Sequence, residues 1–81
     1  MADISFEVNE HIGNIAEYPT SWNKELNIVT WGTNAAKYDI RDWSPSHDRM
    51  TKGITLHEEE ALRLMELLAE HFDMILLDKE D

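Results

Sequence analysis

Apolar and polar residues alternate with period two along Ile4-Ser5-Phe6-Glu7-Val8-Asn9, the pattern of a half-buried strand. Ile12-Gly13-Asn14-Ile15 extends it, with Gly13 a candidate bulge or bend. Pro19 interrupts the pattern, because it biases Tyr18 away from helix and offers no N–H to a ladder, so residues 17–21 read as a loop. Residues 24–31 form a second strand, rich in side chains that favour extended backbone: Leu26, Ile28, Val29, Thr30 and Trp31. Leu26 and Ile28 share one face, and Val29 and Trp31 share the other. Either both faces are covered or a bulge resets the register. Gly32-Thr33-Asn34 is turn chemistry, and residues 37–43 are a third strand. Tyr38 and Ile40 lie on one of its faces, whereas Lys37, Asp39, Arg41 and Trp43 lie on the other. A loop over Ser44-Pro45-Ser46-His47-Asp48 leads to a short fourth strand at residues 53–56.

The period then changes to that of a helix, over about residues 58–72. His57 or Thr55 caps it, and Glu58, Glu59 and Glu60 in its first turn complement the helix dipole. At ~100° per residue, the apolar positions Leu67, Leu64, Leu68, Ala61, Phe72, Met65 and Leu62 span an arc of about 220°. An ordinary surface helix has a stripe about half as wide. Such a helix packs on its own sheet and on a second surface, most simply a second copy of the chain. The element order is four strands, then one helix.

At 81 residues there is one domain, 1–81, with strands within about 3–56 and a short acidic tail to residue 81. No apolar run approaches the ~20 residues of a membrane span, and the N-terminus has no basic-then-apolar leader pattern. With no cysteine, disulfides and thiolate metal sites are excluded, and a cytoplasmic location is expected. So small a core makes burial against a partner subunit the expected supplement.

The net charge of −10 conceals a segregation. Residues 1–17 and 57–81 are strongly acidic, whereas five of the seven Lys and Arg residues lie in between, at Lys24, Lys37, Arg41, Arg49 and Lys52. All three tryptophans and both tyrosines share that middle segment. Such asymmetry marks either a binding face on an otherwise solubilised protein or simply an acidic helix.

The four histidines fall in no metal-ligand spacing, so surface or capping roles fit them better than a metal or acid–base site. No phosphate-cradling glycine loop, nucleophile motif or paired-carboxylate site is present, which argues against an enzyme. The interleaving of rings and cations says more. Trp22 with Lys24, then Trp31, then Lys37, Arg41 and Trp43 supply what unspecific single-strand binding uses: rings to stack bases and cations to follow phosphates. The competing reading is that the tryptophans are core. Trp31 fits either role; Trp22 and Trp43 border loops, where exposure is expected, and stacking is expected of Trp43.

Three blocks carry a resemblance. Trp22-Asn-Lys24-Glu25-Leu26-Asn27-Ile-Val29-Thr-Trp31, then Lys37-Tyr38-Asp39-Ile40-Arg41-Asp-Trp43-Ser-Pro45, then Lys52-Gly53-Ile54-Thr55-Leu56 before Glu58-Glu59-Glu60, resemble the YdbC-like bacterial branch of the positive-cofactor-four family. That family includes a eukaryotic transcriptional coactivator with a domain that binds single-stranded DNA. The resemblance covers about residues 4–70. It implies an α+β fold, a curved four-stranded antiparallel sheet followed by one C-terminal helix. It also implies a homodimer joined partly through the helices, with single-stranded DNA across the concave sheets.

Carried over position by position, Lys24 would hold a phosphate, Trp31 would lie near the DNA, and Lys37 and Arg41 would line the groove. Trp43 would stack on a base, Lys52 would reach the backbone, and Trp22, characteristic of the bacterial branch, would be a further stacking ring. The dimer interface would comprise Ala61, Leu64, Met65, Leu68 and Phe72. His57 departs from the Ser or Asn usual in the family, and the acidic tail from residue 73 is additional.

The expectation is therefore a non-enzymatic homodimer without cofactor or metal. It binds single-stranded DNA, and RNA as an open possibility, with little sequence preference, in transcription, replication or repair, and makes no use of a membrane. The rival is an interaction dimer that kept the fold and lost DNA binding.

Overall fold

Strand boundaries follow the alternation closely. In the computed structural model, which describes residues 5–74, the elements are β1 (Phe6–Glu17), β2 (Asn23–Trp31), β3 (Lys37–Trp43), β4 (Ile54–Leu56) and α1 (Glu58–His71). The strands form one antiparallel sheet in the order β1-β2-β3-β4, followed by the single helix, as expected. The start of the first expected strand, at Ile4, and the tail beyond Met74 lie outside the described residues.

The 12-residue β1 is one strand. Its pairing with β2 slips between Val8 and Glu10, between His11 and Gly13, and between Asn14 and Ala16. Each slip bends the strand and adds right-handed twist. Gly13 therefore lies at a bulge inside the strand. Gly32, at φ 60°, opens the turn after β2, where a residue without Cβ adopts the left-handed region freely.

The β2–β3 register runs unbroken from Asn23 opposite Trp43 to Val29 opposite Lys37. No bulge resets β2: its odd-numbered face is buried from Glu25 to Val29, whereas Leu26 and Ile28 on the other face are half-buried. One face of the sheet carries Glu25, Asn27 and Val29 from β2 and Asp39 and Trp43 from β3, all buried. The other carries Leu26 and Ile28 opposite Ile40 and Tyr38. The helix packs on this second face, over β3 and β4.

His57 is the N-cap of α1, and the Glu60 carboxylate accepts its backbone N–H at 2.8 Å. At the other end Met74 N–H donates to Ala69 O at 2.8 Å and Asp73 N–H to Glu70 O at 3.1 Å. With Asp73 at φ 57°, this is a Schellman stop. Ala69 is the only buried helix residue among those described. Leu62, Leu64, Met65, Leu67, Leu68 and Phe72 all stay exposed, Phe72 by 63%.

Gly53 sits where the chain enters β4 and passes close against β3. A Cβ there would collide with the backbone oxygen of Ile40 and the Cβ of Arg41. We expect Gly53→Ala to destabilise the fold by ~1–3 kcal/mol, the usual penalty for overpacking, read from the midpoint of a denaturant titration. An unchanged midpoint would mean that β4 can shift away without loss.

Candidate functional site

Strand pleat decides which of the expected site residues can meet. Val29 pairs with Lys37 and Glu25 with Arg41, so these four point to the face away from the helix. Phe6 pairs with Trp31 and Thr55 with Asp39, which places Phe6, Trp31 and Thr55 on the same face. Between the β2–β3 turn and β4 this face opens into a groove of about 540 Å³. Trp31, Lys37, Arg41 and Lys52 line it, with Asn34, Ala35, Met50, Thr51 and Thr55.

The floor of the groove is a tightly bonded cluster. Arg41 Nε and Nη2 donate to Asp39 Oδ1 and Oδ2, both at 2.7 Å, and Trp31 Nε1 donates to Asp39 Oδ2 at 3.1 Å. The guanidinium carbon of Arg41 lies 4.4 Å from the Trp31 ring centroid, in cation–π contact. Phe6 packs against Trp31 from the edge strand, at 5.4 Å between centroids. Trp31 is thus half-buried, with its indole fixed from the polar edge. Lys37 and Lys52 stand at the rim, and neither makes an ion pair with another described residue.

Next to this cluster lies a second buried carboxylate, Glu25. It accepts His47 Nε2–H at 2.8 Å and Asn27 Nδ2–H at 3.0 Å, and His11 Nδ1–H donates to Asn27 Oδ1 at 2.7 Å. These contacts occupy both histidines as partners of the sheet. Among the described residues no group of three His, Cys, Asp or Glu is arranged to hold a metal ion.

Trp43 differs from its expectation. It is fully buried, so its expected exposure and base stacking are corrected. The cause is the loop that follows it. Ser44 N–H donates to Arg49 O and Arg49 N–H to Ser44 Oγ, which turns the chain back so that Met50 bridges to Trp43. His47, at φ 62°, packs its ring 5.4 Å from that of Trp43, and Phe6 covers it from 5.4 Å on β1. The hydroxyls of Ser46 and Ser44 bind Asp48 and hold its carboxyl below the usual carboxylate range, fixing the loop further. Ser-Pro-Ser-His-Asp was legible as a turn, but not that the turn folds over the ring.

Lys24 is not brought into the groove. It pairs across the strands with Asp42 and shares the face of Leu26 and Ile40. Lys24 Nζ donates to Asp42 Oδ1 at 2.8 Å, and that bond raises the ammonium pKa above its usual value. Trp22 is half-buried before β2, where its carbonyl accepts Tyr18 N–H at 2.9 Å, and it does not line the groove. The residues that sequence reasoning missed are Asn34, Ala35, Met50, Thr51 and Thr55. Of these, Thr55 carried a signal, as the one polar residue between Ile54 and Leu56 in a strand.

On the opposite face Ile15, Leu26, Tyr38, Ile40 and Leu56 form an apolar trough of about 610 Å³ with the helix. Ala61, Leu64, Met65, Leu68 and Phe72, the expected dimer residues, all line it. None of the helices described is long and apolar enough to cross a membrane.

The sequence pattern of the Transcriptional Coactivator p15 (PC4) family matches residues 18–67, which contain all of β2, β3 and β4 and most of α1. A protein of Treponema pallidum (strain Nichols), described as an uncharacterized protein, is 38% identical over 66 residues. The alignment covers 82% of this chain and 78% of that protein.

Burial of Trp43 predicts a folding role. Trp43→Ala should lose ~3–5 kcal/mol of stability. Trp43→Phe should lose far less, because the buried Nε1 has no hydrogen-bond partner among the described residues to forfeit. Chemical denaturation of both variants checks this; a Trp43→Ala protein as stable as the parent would return the ring to the surface.

Proposed function

We propose that this chain, which belongs to the Transcriptional Coactivator p15 (PC4) family, is a homodimeric, non-enzymatic protein that binds single-stranded nucleic acid with little sequence preference. The family is one of nucleic-acid-binding domains. Within it, the three sequence blocks favour the YdbC-like bacterial branch. One observation carries the reading. The groove on the sheet face away from the helix sets the Trp31 ring beside Lys37 and Lys52, two cations without an ion-pair partner among the described residues. A single strand lies along such a surface with a base against the ring and phosphates over the ammonium groups, whereas a duplex keeps its bases stacked inside. Trp31, Lys37, Arg41 and Lys52 are the proposed site. Lys24, Trp22 and Trp43 are not, given their placement.

The dimer is supported by the exposed apolar helix. Among the described residues the buried hydrophobic side chains are Val29, Trp43 and Ala69. A chain with so little of its own core among the described residues, with five large apolar side chains exposed along one helix and Phe72 exposed at its C-cap, gains most of its missing burial from a second copy seated on the trough.

A second reading is an interaction dimer without nucleic-acid binding. It is favoured by the pairing of Lys24 with Asp42 and of Arg41 with Asp39, which removes two of the central cations. Titration of a labelled single strand at several salt concentrations separates the two. With two groove cations per subunit, the slope of log affinity against log salt should be about −1.4 for each subunit engaged. Trp31→Ala should weaken binding by ~1–3 kcal/mol and leave the slope unchanged. No binding at low salt, or duplex bound as tightly as single strand, favours the second reading.

Sedimentation should give twice the chain mass at micromolar concentration, and Leu68→Lys should dissociate or unfold the protein, since the charge enters an apolar contact unpaired. A folded monomer would count against the dimer.

A further inference from the structure

We propose that Asp39 is the positioning residue of the groove. Its carboxylate locks Trp31 and Arg41 into one stacked, electrically neutral unit against which bases pack, and phosphate attraction is left to Lys37 and Lys52. The inference rests on the proposed function and assigns its parts differently from the sequence. There, Arg41 is one more cation along the strand.

Asp39 has no exposed surface. Three side-chain donors converge on it: Nε and Nη2 of Arg41 and Nε1 of Trp31. A carboxylate removed from water is retained only with such partners, because an unpaired buried charge is far costlier than an unpaired exposed one. Asp39 occupies the Nε–Nη2 edge, one of the two edges by which an arginine can grip a phosphate with two hydrogen bonds. Arg41 Nη1 is engaged as well, at 3.4 Å from Thr51 O, and only 13% of the side chain is exposed. Arg41 therefore has its Nε–Nη2 fork and its charge already taken by Asp39, and little of its surface left for a phosphate. What it does offer is a flat plane 4.4 Å from the Trp31 centroid, fixed to the same carboxylate as the ring. Held at Nε1 by Asp39 and over the ring by Arg41, the indole loses little further freedom when a base packs on it. That is the physical value of a prepositioned ring.

Register adds a second support. Asp39 faces Asn27 on β2 and Thr55 on β4, so neither direct strand neighbour supplies a competing charge. The nearest residues of its own face along β3 are Lys37 and Arg41, and only Arg41 is bonded to it.

The test is titration of the full chain with a fluorescein-labelled oligothymidine at a series of salt concentrations, with thermal melts alongside. In the double variant Asp39→Asn with Arg41→Gln, a neutral hydrogen-bonding pair replaces a neutral ion pair. Its salt slope should equal that of the parent. A slope shallower by about 0.7 per subunit would show that Arg41 neutralises a phosphate, and would overturn the inference. Asp39→Asn alone frees the Arg41 charge while releasing the ring. Its slope should steepen by up to about 0.7, and its affinity at high salt should fall about fivefold or more.

The indole N–H resonance of Trp31 should move in that variant more than those of Trp22 and Trp43. If Asp39→Asn folds and leaves the slope, the high-salt affinity and the Trp31 resonance unchanged, Asp39 is structural only and the inference fails. If it does not fold, the double variant decides. Failure of the parent to bind the strand at any salt concentration is a different result, and it overturns the proposed function itself.

Discussion

Two carboxylates with almost no exposure, Asp39 and Glu25, stand on the same face of a small sheet, and their pairing constrains everything around them. An ion taken out of water costs several kcal/mol unless charged or polar partners surround it. For Asp39 those partners are Arg41, two residues along β3, and Trp31 at the end of β2. For Glu25 they are Asn27, two residues along β2, and His47 from the loop after β3. A slip of one residue between β2 and β3 would turn one strand over relative to the other. Asp39 or Glu25 would then face Leu26 or Ile40 without partners. The polar network therefore fixes the register as firmly as an apolar core would. It also fixes the groove, because Trp31 and Arg41 are members of the network before they are members of any site.

The opposite face obeys a different rule. Leu26, Ile28, Tyr38 and Ile40 present an apolar surface, and the helix covers only part of it, over β3 and β4. Ala69 is buried there, while Leu64, Met65 and Leu68 remain open along the same trough. Apolar burial is the main favourable term in folding, and it scales with area removed from water. A face left this incomplete ties stability to whatever completes it, so that association and folding become one equilibrium for the proposed dimer. The two faces thus differ in kind: one is closed by internal ion pairs and rings, and the other leaves apolar side chains open along the trough.

Much of this was legible in the residues, for reasons that differ by element. β3 was bounded at both ends because its pleat alternates cleanly from Lys37 to Trp43, and Gly32 and Pro45 punctuate its flanks. The bulge at Gly13 was legible because glycine in a strand pattern has few other uses. The wide helix arc was legible because a 3.6-residue period converts sequence directly into angle. Trp43 was misjudged because its fate depends on the chain folding back through Ser44 and Arg49, a contact that alternation does not encode. Lys24 was misplaced for a simpler reason. Even-numbered positions of β2 share the face of Leu26, so parity alone set Lys24 apart from Arg41 and Lys37 on the far side of the sheet. Asp39 was invisible as a partner, since a residue two places before an arginine reveals nothing of a buried fork until β2 and β4 flank it.

Parity also explains how a chain of net charge −10 can present a cationic rim. Glu7 pairs with Thr30 and Glu10 with Ile28, so these acids of β1 point to the helix side of the sheet. Glu58, Glu59, Glu60, Glu66 and Glu70 ride on the helix, which lies on that side as well. The helix acids are thus separated from the groove by the thickness of the sheet, and at physiological ionic strength an exposed charge is largely screened beyond about 8 Å. A phosphate in the proposed groove would therefore respond chiefly to Lys37 and Lys52, with the acidic side muted by distance and salt. The buried acids of its own face are already compensated, Asp39 by Arg41 and Glu25 by hydrogen bonds. Net charge governs how whole molecules repel one another, whereas the sign of a groove is set by the few side chains that the pleat turns into it.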